Sequence, residues 1–173
     1  MHKSFLCGMK YSLLFLTAFS TALFTIAQDA PQPPYKRFPS VPPFKILLTD
    51  SSTYFTKENL DKKKSVMFML FSPDCEHCQH EMEEIIKNIK SFAKTQLVLS
   101  TTRDFDQMRG FYQQYGLDRF GNIIVGKDEA YMLPVFFDIH NLPFLAFYNR
   151  KKELISVFSG AMPIEKVIEE LKK

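Results

Sequence analysis

Cysteine is scarce in this chain and tryptophan is absent: among 173 residues there are 3 cysteines, against 18 phenylalanines. So few thiols cannot build a framework of structural disulfides, and each cysteine has to be read by its position. A strong net charge is lacking as well. The formal +3 at pH 7 becomes +1 once Lys3 and Lys10, the only charged residues before Gln28, are set aside, so no basic excess points to nucleic acid as a partner. The phenylalanines read as core filling for one domain of ordinary size.

Tyr11 to Ala27 carries no charge, follows Lys3 and Lys10, and ends on the small residue Ala27. This is the pattern of a secretory signal peptide over residues 1–27. The run is short for a membrane span, which needs about 20 apolar residues. Cleavage is therefore expected, with N-terminal membrane anchoring as the outcome if the leader is kept, and in both cases the remainder is exported, to the periplasm. Cys7 precedes the apolar stretch, the wrong side for lipid attachment at a cleavage site, and leaves with the leader. That leaves Cys75 and Cys78. A lone close pair in an oxidising compartment reads as a redox centre.

What the chain does contain is an apolar run, Val66 to Phe71, followed by Ser72-Pro73-Asp74 and Cys75-Glu76-His77-Cys78. The run has no polar alternation, as in a strand buried on both faces. Met82, Ile85, Ile86, Ile89 and Phe92 then recur at helical spacing, so the two cysteines open an amphipathic helix. A cysteine in the first turn faces unpaired backbone N–H groups and the positive end of the helix dipole, which favour thiolate. Cys78 lies one turn further on the same face, within reach of a disulfide with Cys75.

The rest of the chain follows the same β and α alternation. Residues 28–43 hold six of the 10 prolines and read as an extended linker ahead of a domain over 44–173. Phe44 to Thr49 is a first strand, and Thr56 caps a helical turn before the solvated Lys62-Lys63-Lys64 run. Gln96 to Ser100 is a second buried strand, Asp104 to Tyr115 a helix stopped by Gly116, and Asn122 to Val125 a short strand. Pro134 to Ile139 is a short helix with proline at its start. Leu142-Pro143 then precedes a strand, Asn149 to Lys152 turns into another from Leu154 to Phe158, and Ile164, Val167, Ile168 and Leu171 line one face of a last helix. The sheet is expected to be mixed, parallel at its centre and flanked by helices.

This order resembles the thioredoxin fold, and within it the TlpA-like exported thiol-disulfide oxidoreductases. The likeness spans about Phe44 to Lys173. It implies that Cys75 attacks, that Cys78 resolves, and that Pro143 is the cis-proline whose loop sits against the disulfide. The 68 positions from Cys75 to Pro143 imply an extra helix and strand between the C-x-x-C helix and that loop. The resemblance calls for no cofactor or metal. Its partners would be protein thiol or disulfide substrates and an upstream electron donor or acceptor. Two departures stand out: thioredoxins carry Trp before the first cysteine and Asp six residues ahead of it, where this chain has Asp74 and Met69. Glu81, three residues after Cys78, matches a functional glutamate of TlpA-like reductants and is a candidate base for the resolving thiol, against the plainer reading of a solvated glutamate. Redox tuning falls to three neighbours. His77 stabilises a Cys75 thiolate and favours oxidation of substrates, whereas Glu76 and Asp74 oppose it, and the balance points to reduction or exchange of disulfides. The alternatives are a redox-inert thioredoxin-like binding module and a peroxiredoxin-like peroxidase. For the peroxidase, Ser72 stands three before Cys75, but the proline that should precede it is missing.

Overall fold

A computed structural model describes residues 32–173; the segment expected to be a leader, with Cys7, lies outside the described residues. Its centre is β3 (Ser65–Leu70), six residues that are all buried because the strand is paired on both edges and covered on both faces. β4 (Thr95–Thr101) runs parallel to it on one side, with Leu70 opposite Ser100. β6 (Phe144–Tyr148) runs antiparallel on the other, with Leu70 opposite Phe144. Side chains alternate across the sheet. Met67, Met69 and Phe71 face one apolar cluster, while Val66, Phe68 and Leu70 face a second.

The sheet is completed by β1 (Lys45–Leu48), β2 (Tyr54–Thr56), β5 (Ile123–Lys127) and β7 (Leu154–Ser159), in the order β2-β1-β5-β4-β3-β6-β7. Only the β3-β4-β5 pairings are parallel; the others are antiparallel. The first cluster takes in Met82 and Ile85 of α2 (Glu76–Lys87), Met108 and Phe111 of α3 (Phe105–Gln114), and Ile164 and Val167 of α5 (Ile164–Glu170). The second packs Leu133 and Phe137 of α4 (Met132–Phe137) against Phe44, Phe68 and Tyr148. α3 ends where Gly116 takes the left-handed φ of 55°, as expected of a glycine stop. β4, α3, β5 and α4 fill the interval between the cysteine helix and Pro143.

The structure departs from two local expectations and adds one strand. The described part of the 28–43 segment is not an extended linker: it forms α1 (Pro34–Arg37) and lies along the domain. Proline is tolerated in a helix's first turn, where its missing N–H has no partner to lose. Beyond α1, Val41 is 1% exposed, its N–H reaches the Lys152 carbonyl at 3.1 Å, and Leu154 donates to the Pro39 carbonyl at 2.8 Å. α4 begins at Met132, two residues before Pro134, because Asp128 Oδ2 accepts from the Leu133 N–H at 2.7 Å and anchors the start. β2, too short to show an alternation of its own, pairs with β1 as an edge strand.

Candidate active site

The chain leaves β3 through Ser72-Pro73-Asp74 and enters α2 with Cys75 as the N-cap. The Cys75 N–H donates to the Ser72 carbonyl at 3.1 Å, and its side chain caps the helix: Sγ accepts the Cys78 backbone N–H at 3.3 Å. Gln79 donates through Nε2 to the Pro73 carbonyl at 2.7 Å and braces the turn. The two sulfurs are unequal. Both are free thiols, but Cys75 is half-buried and Cys78 is 0% exposed. Burial pushes the Cys78 thiol well up, and its hydrogen bond with Cys75 adds to the rise.

Opposite Cys75 lies the loop before β6. The Leu142–Pro143 peptide is cis, and the Leu142 carbonyl oxygen stands 3.9 Å from Cys75 Sγ, the acceptor for its S–H. Pro143 is buried, and its own carbonyl accepts from Gly160 at 2.8 Å, which ties the loop to the end of β7. Thus Cys75, Cys78 and Pro143, 68 positions apart at the extremes, share one end of the sheet. This is the C-terminal end of the parallel strands, where open α/β sheets gather their sites.

Glu81 is not a solvated residue. It is 2% exposed, its Oε2 accepts the Met162 N–H at 2.9 Å, and its Oε1 is buried with no partner among the described residues. Desolvation raises its carboxyl above the ordinary range, against the opposing hydrogen bond from Met162. Glu76 and His77 are exposed on the first turn of α2. Asp74, also exposed, accepts from the Ser72 hydroxyl. Ser72 Oγ in turn accepts from Arg103 Nε at 2.7 Å, and Arg103 Nη2 lies 3.7 Å from Asp74 Oδ2. The Ser72 hydroxyl foremost, then the local backbone and the Arg103 charge, hold the Asp74 carboxyl below its usual range.

Sequence reasoning missed Arg103. The available signal was its place just beyond β4, the strand parallel to and in register with the one that delivers Cys75. His140 is exposed, with Nε2 3.3 Å from Asp138 Oδ1, and borders a cavity of about 200 Å³ shared with Leu142 and Tyr131.

The mixed sheet, the cysteine helix at the C-terminal end of its parallel strands and the proline loop against it define the thioredoxin fold. The chain is similar in structure to a secreted Mycobacterium tuberculosis disulfide oxidoreductase homologous to E. coli DsbE, with a TM-score of 0.62 at 18% identity over 75% of this chain and 94% of that one. It is similar to MTB dsbF, with a TM-score of 0.64 at 20% identity over 77% and 98%. A Plasmodium vivax 2-Cys peroxiredoxin also superposes, with a TM-score of 0.62 at 12% identity over 77% and 92%. No protein-family model matches the chain, and no curated protein matches it in sequence.

Proposed function

We propose that this protein is an exported thiol-disulfide oxidoreductase that reduces or exchanges disulfides in other proteins through Cys75 and Cys78. The observation that carries this reading is the inequality of the two sulfurs: Cys75 is reachable, caps the helix and faces the Leu142 carbonyl at 3.9 Å, while Cys78 is sealed one turn deeper. In the reductive direction, the Cys75 thiolate attacks one sulfur of a substrate disulfide and expels the other as a thiolate, leaving a mixed disulfide. Cys78 then gives up its proton and attacks Cys75 Sγ, which releases the second substrate sulfur. The substrate gains two electrons, and the domain ends with a Cys75–Cys78 disulfide that an upstream donor must reduce. The peptide next to Pro143 offers a backbone for the substrate chain to lie against.

Glu81 is the base this scheme assigns to Cys78. A carboxyl kept out of water, with one oxygen unengaged and a raised affinity for protons, suits taking a proton from a high-pKa thiol better than a solvated carboxylate does. Asp74 places a negative charge beside Cys75 and Arg103 offsets it, so the pair of them, with Glu76 and His77, sets the balance between thiol and disulfide forms. Export rests on the leader over residues 1–27, and similarity in fold to a secreted oxidoreductase is in keeping with it. The test is dithiothreitol-driven reduction of insulin: the protein should accelerate it, and Cys75→Ser should abolish the acceleration. No acceleration by the unaltered protein, with both thiols demonstrably free, would remove the enzymatic reading.

A further inference from the structure

At the end of the sheet opposite Cys75, about 20 Å away along a six-residue strand, the molecule has a cleft of about 650 Å³ that the redox scheme does not use. It opens beside Ser65 and Thr95, where β3 and β4 begin. Three separate stretches of chain bring cations to it: Lys90 and Lys94 from the α2–β4 connection, Arg150 and Lys151 from the β6–β7 turn, and Lys172 and Lys173 from beyond α5. The one acidic residue in its lining, Glu153, is already engaged by the Asn149 side-chain amide at 2.8 Å. Lys173 is paired with Glu170 at 2.5 Å. Among the described residues the other five cations have no ion pair. Beneath them, half-buried, are Ile155, Ile168 and Leu171.

Like charges gathered without partners repel one another, a cost that a counter-charged ligand removes. We propose that this cleft binds an acidic segment of a partner polypeptide, with carboxylates against the lysine rim and apolar side chains against Ile155, Ile168 and Leu171. The volume lies in the range of sites that enclose a discrete ligand. Its apolar residues are half-buried and packed against the first apolar cluster, which suits contact with a chain laid into the cleft, whereas a bilayer is better met by fully exposed apolar side chains. Lysine predominates over arginine, and its compact, rotatable charge suits scattered carboxylates better than one planar bidentate group. The inference does not depend on the redox reading, because the cleft and the cysteines occupy opposite ends of the sheet.

The experiment uses a short fluorescent peptide alternating glutamate and leucine, followed by anisotropy at low ionic strength with the whole protein. Saturable binding is expected, weakened by salt and by at least about tenfold in the Lys94→Glu/Arg150→Glu variant, while exchange with a small disulfide keeps its unaltered rate. Lys94→Gln/Arg150→Gln should fall between the two and serves if charge reversal disturbs folding. Methyl resonances of Ile155, Ile168 and Leu171 should shift on titration. Absence of saturable binding, affinity indifferent to these substitutions, or methyl groups that do not respond would each overturn the proposal. So would binding to phosphatidylglycerol vesicles without binding to the peptide, which would assign the cleft to a membrane surface.

Discussion

Glu81 Oε2 accepts a 2.9 Å hydrogen bond from the Met162 backbone N–H, tying the helix that carries both cysteines to the loop ahead of α5. If its other oxygen receives the Cys78 proton, Glu81→Gln keeps the Met162 contact and loses the base. Resolution of the mixed disulfide should slow on the order of 10²-fold, with the initial attack by Cys75 unchanged. Rapid-quench separation of the two steps checks this, and equal slowing of both would make Glu81 structural.

The same carboxyl predicts a pH dependence of stability. Its proton affinity is raised by folding, so between the ordinary glutamate value of 4.5 and the elevated folded value the native state holds more protons than the unfolded one. Stability contributed at this site is therefore intact below that window and declines as pH rises through it. Denaturant titrations across the window should show the unaltered protein losing stability relative to Glu81→Gln, and parallel curves would contradict the assignment.

Arg103 should matter to Cys75 through Asp74. Arg103→Gln leaves the Asp74 carboxylate less compensated beside the attacking sulfur and should slow attack about two- to fivefold at low salt, the scale of an exposed ion pair. Asp74→Asn should act in the opposite direction. In the double variant the effect of the arginine substitution should largely vanish, whereas additive effects would place Arg103 outside the redox balance.

The segment before the first strand should contribute to stability. Deleting residues 28–43 removes Val41 from its buried site, and a buried valine is worth roughly 1.5–3 kcal/mol. Chemical denaturation should report a loss of at least that size. A free linker would leave the midpoint where it was.

Much of this was legible in the chain itself, because the governing signals are local. Val66 to Phe71 reads as a doubly buried strand since it is one, Met82 and Ile85 fall on the buried side of a regular helix, and Leu142-Pro143 stands directly before β6. What the sequence left open or hid shares a different cause. Glu81 sits in a charged run, Glu81-Met82-Glu83-Glu84, and only the loop at Met162, far along the chain, decides that this one carboxyl is covered. Arg103 meets Ser72 because β3 and β4 pair in register, a fact of the sheet and not of spacing. The proline content of residues 28–43 argues for extension, but Val41 and Phe44 supply apolar surface that composition hides. The basic cleft is likewise assembled from distant stretches, while the net charge stays near zero.

The asymmetry of the two sulfurs carries the redox reading. The decisive measurement is covalent trapping: Cys75→Ser and Cys78→Ser are each expressed in the exported form, quenched in acid with alkylation, and compared on non-reducing gels. Cys78→Ser should accumulate mixed disulfides through Cys75 that disappear on reduction, and Cys75→Ser should accumulate none. Equal lanes from the two variants, both empty or both loaded, would contradict the division of labour between an exposed attacking thiol and a buried resolving one.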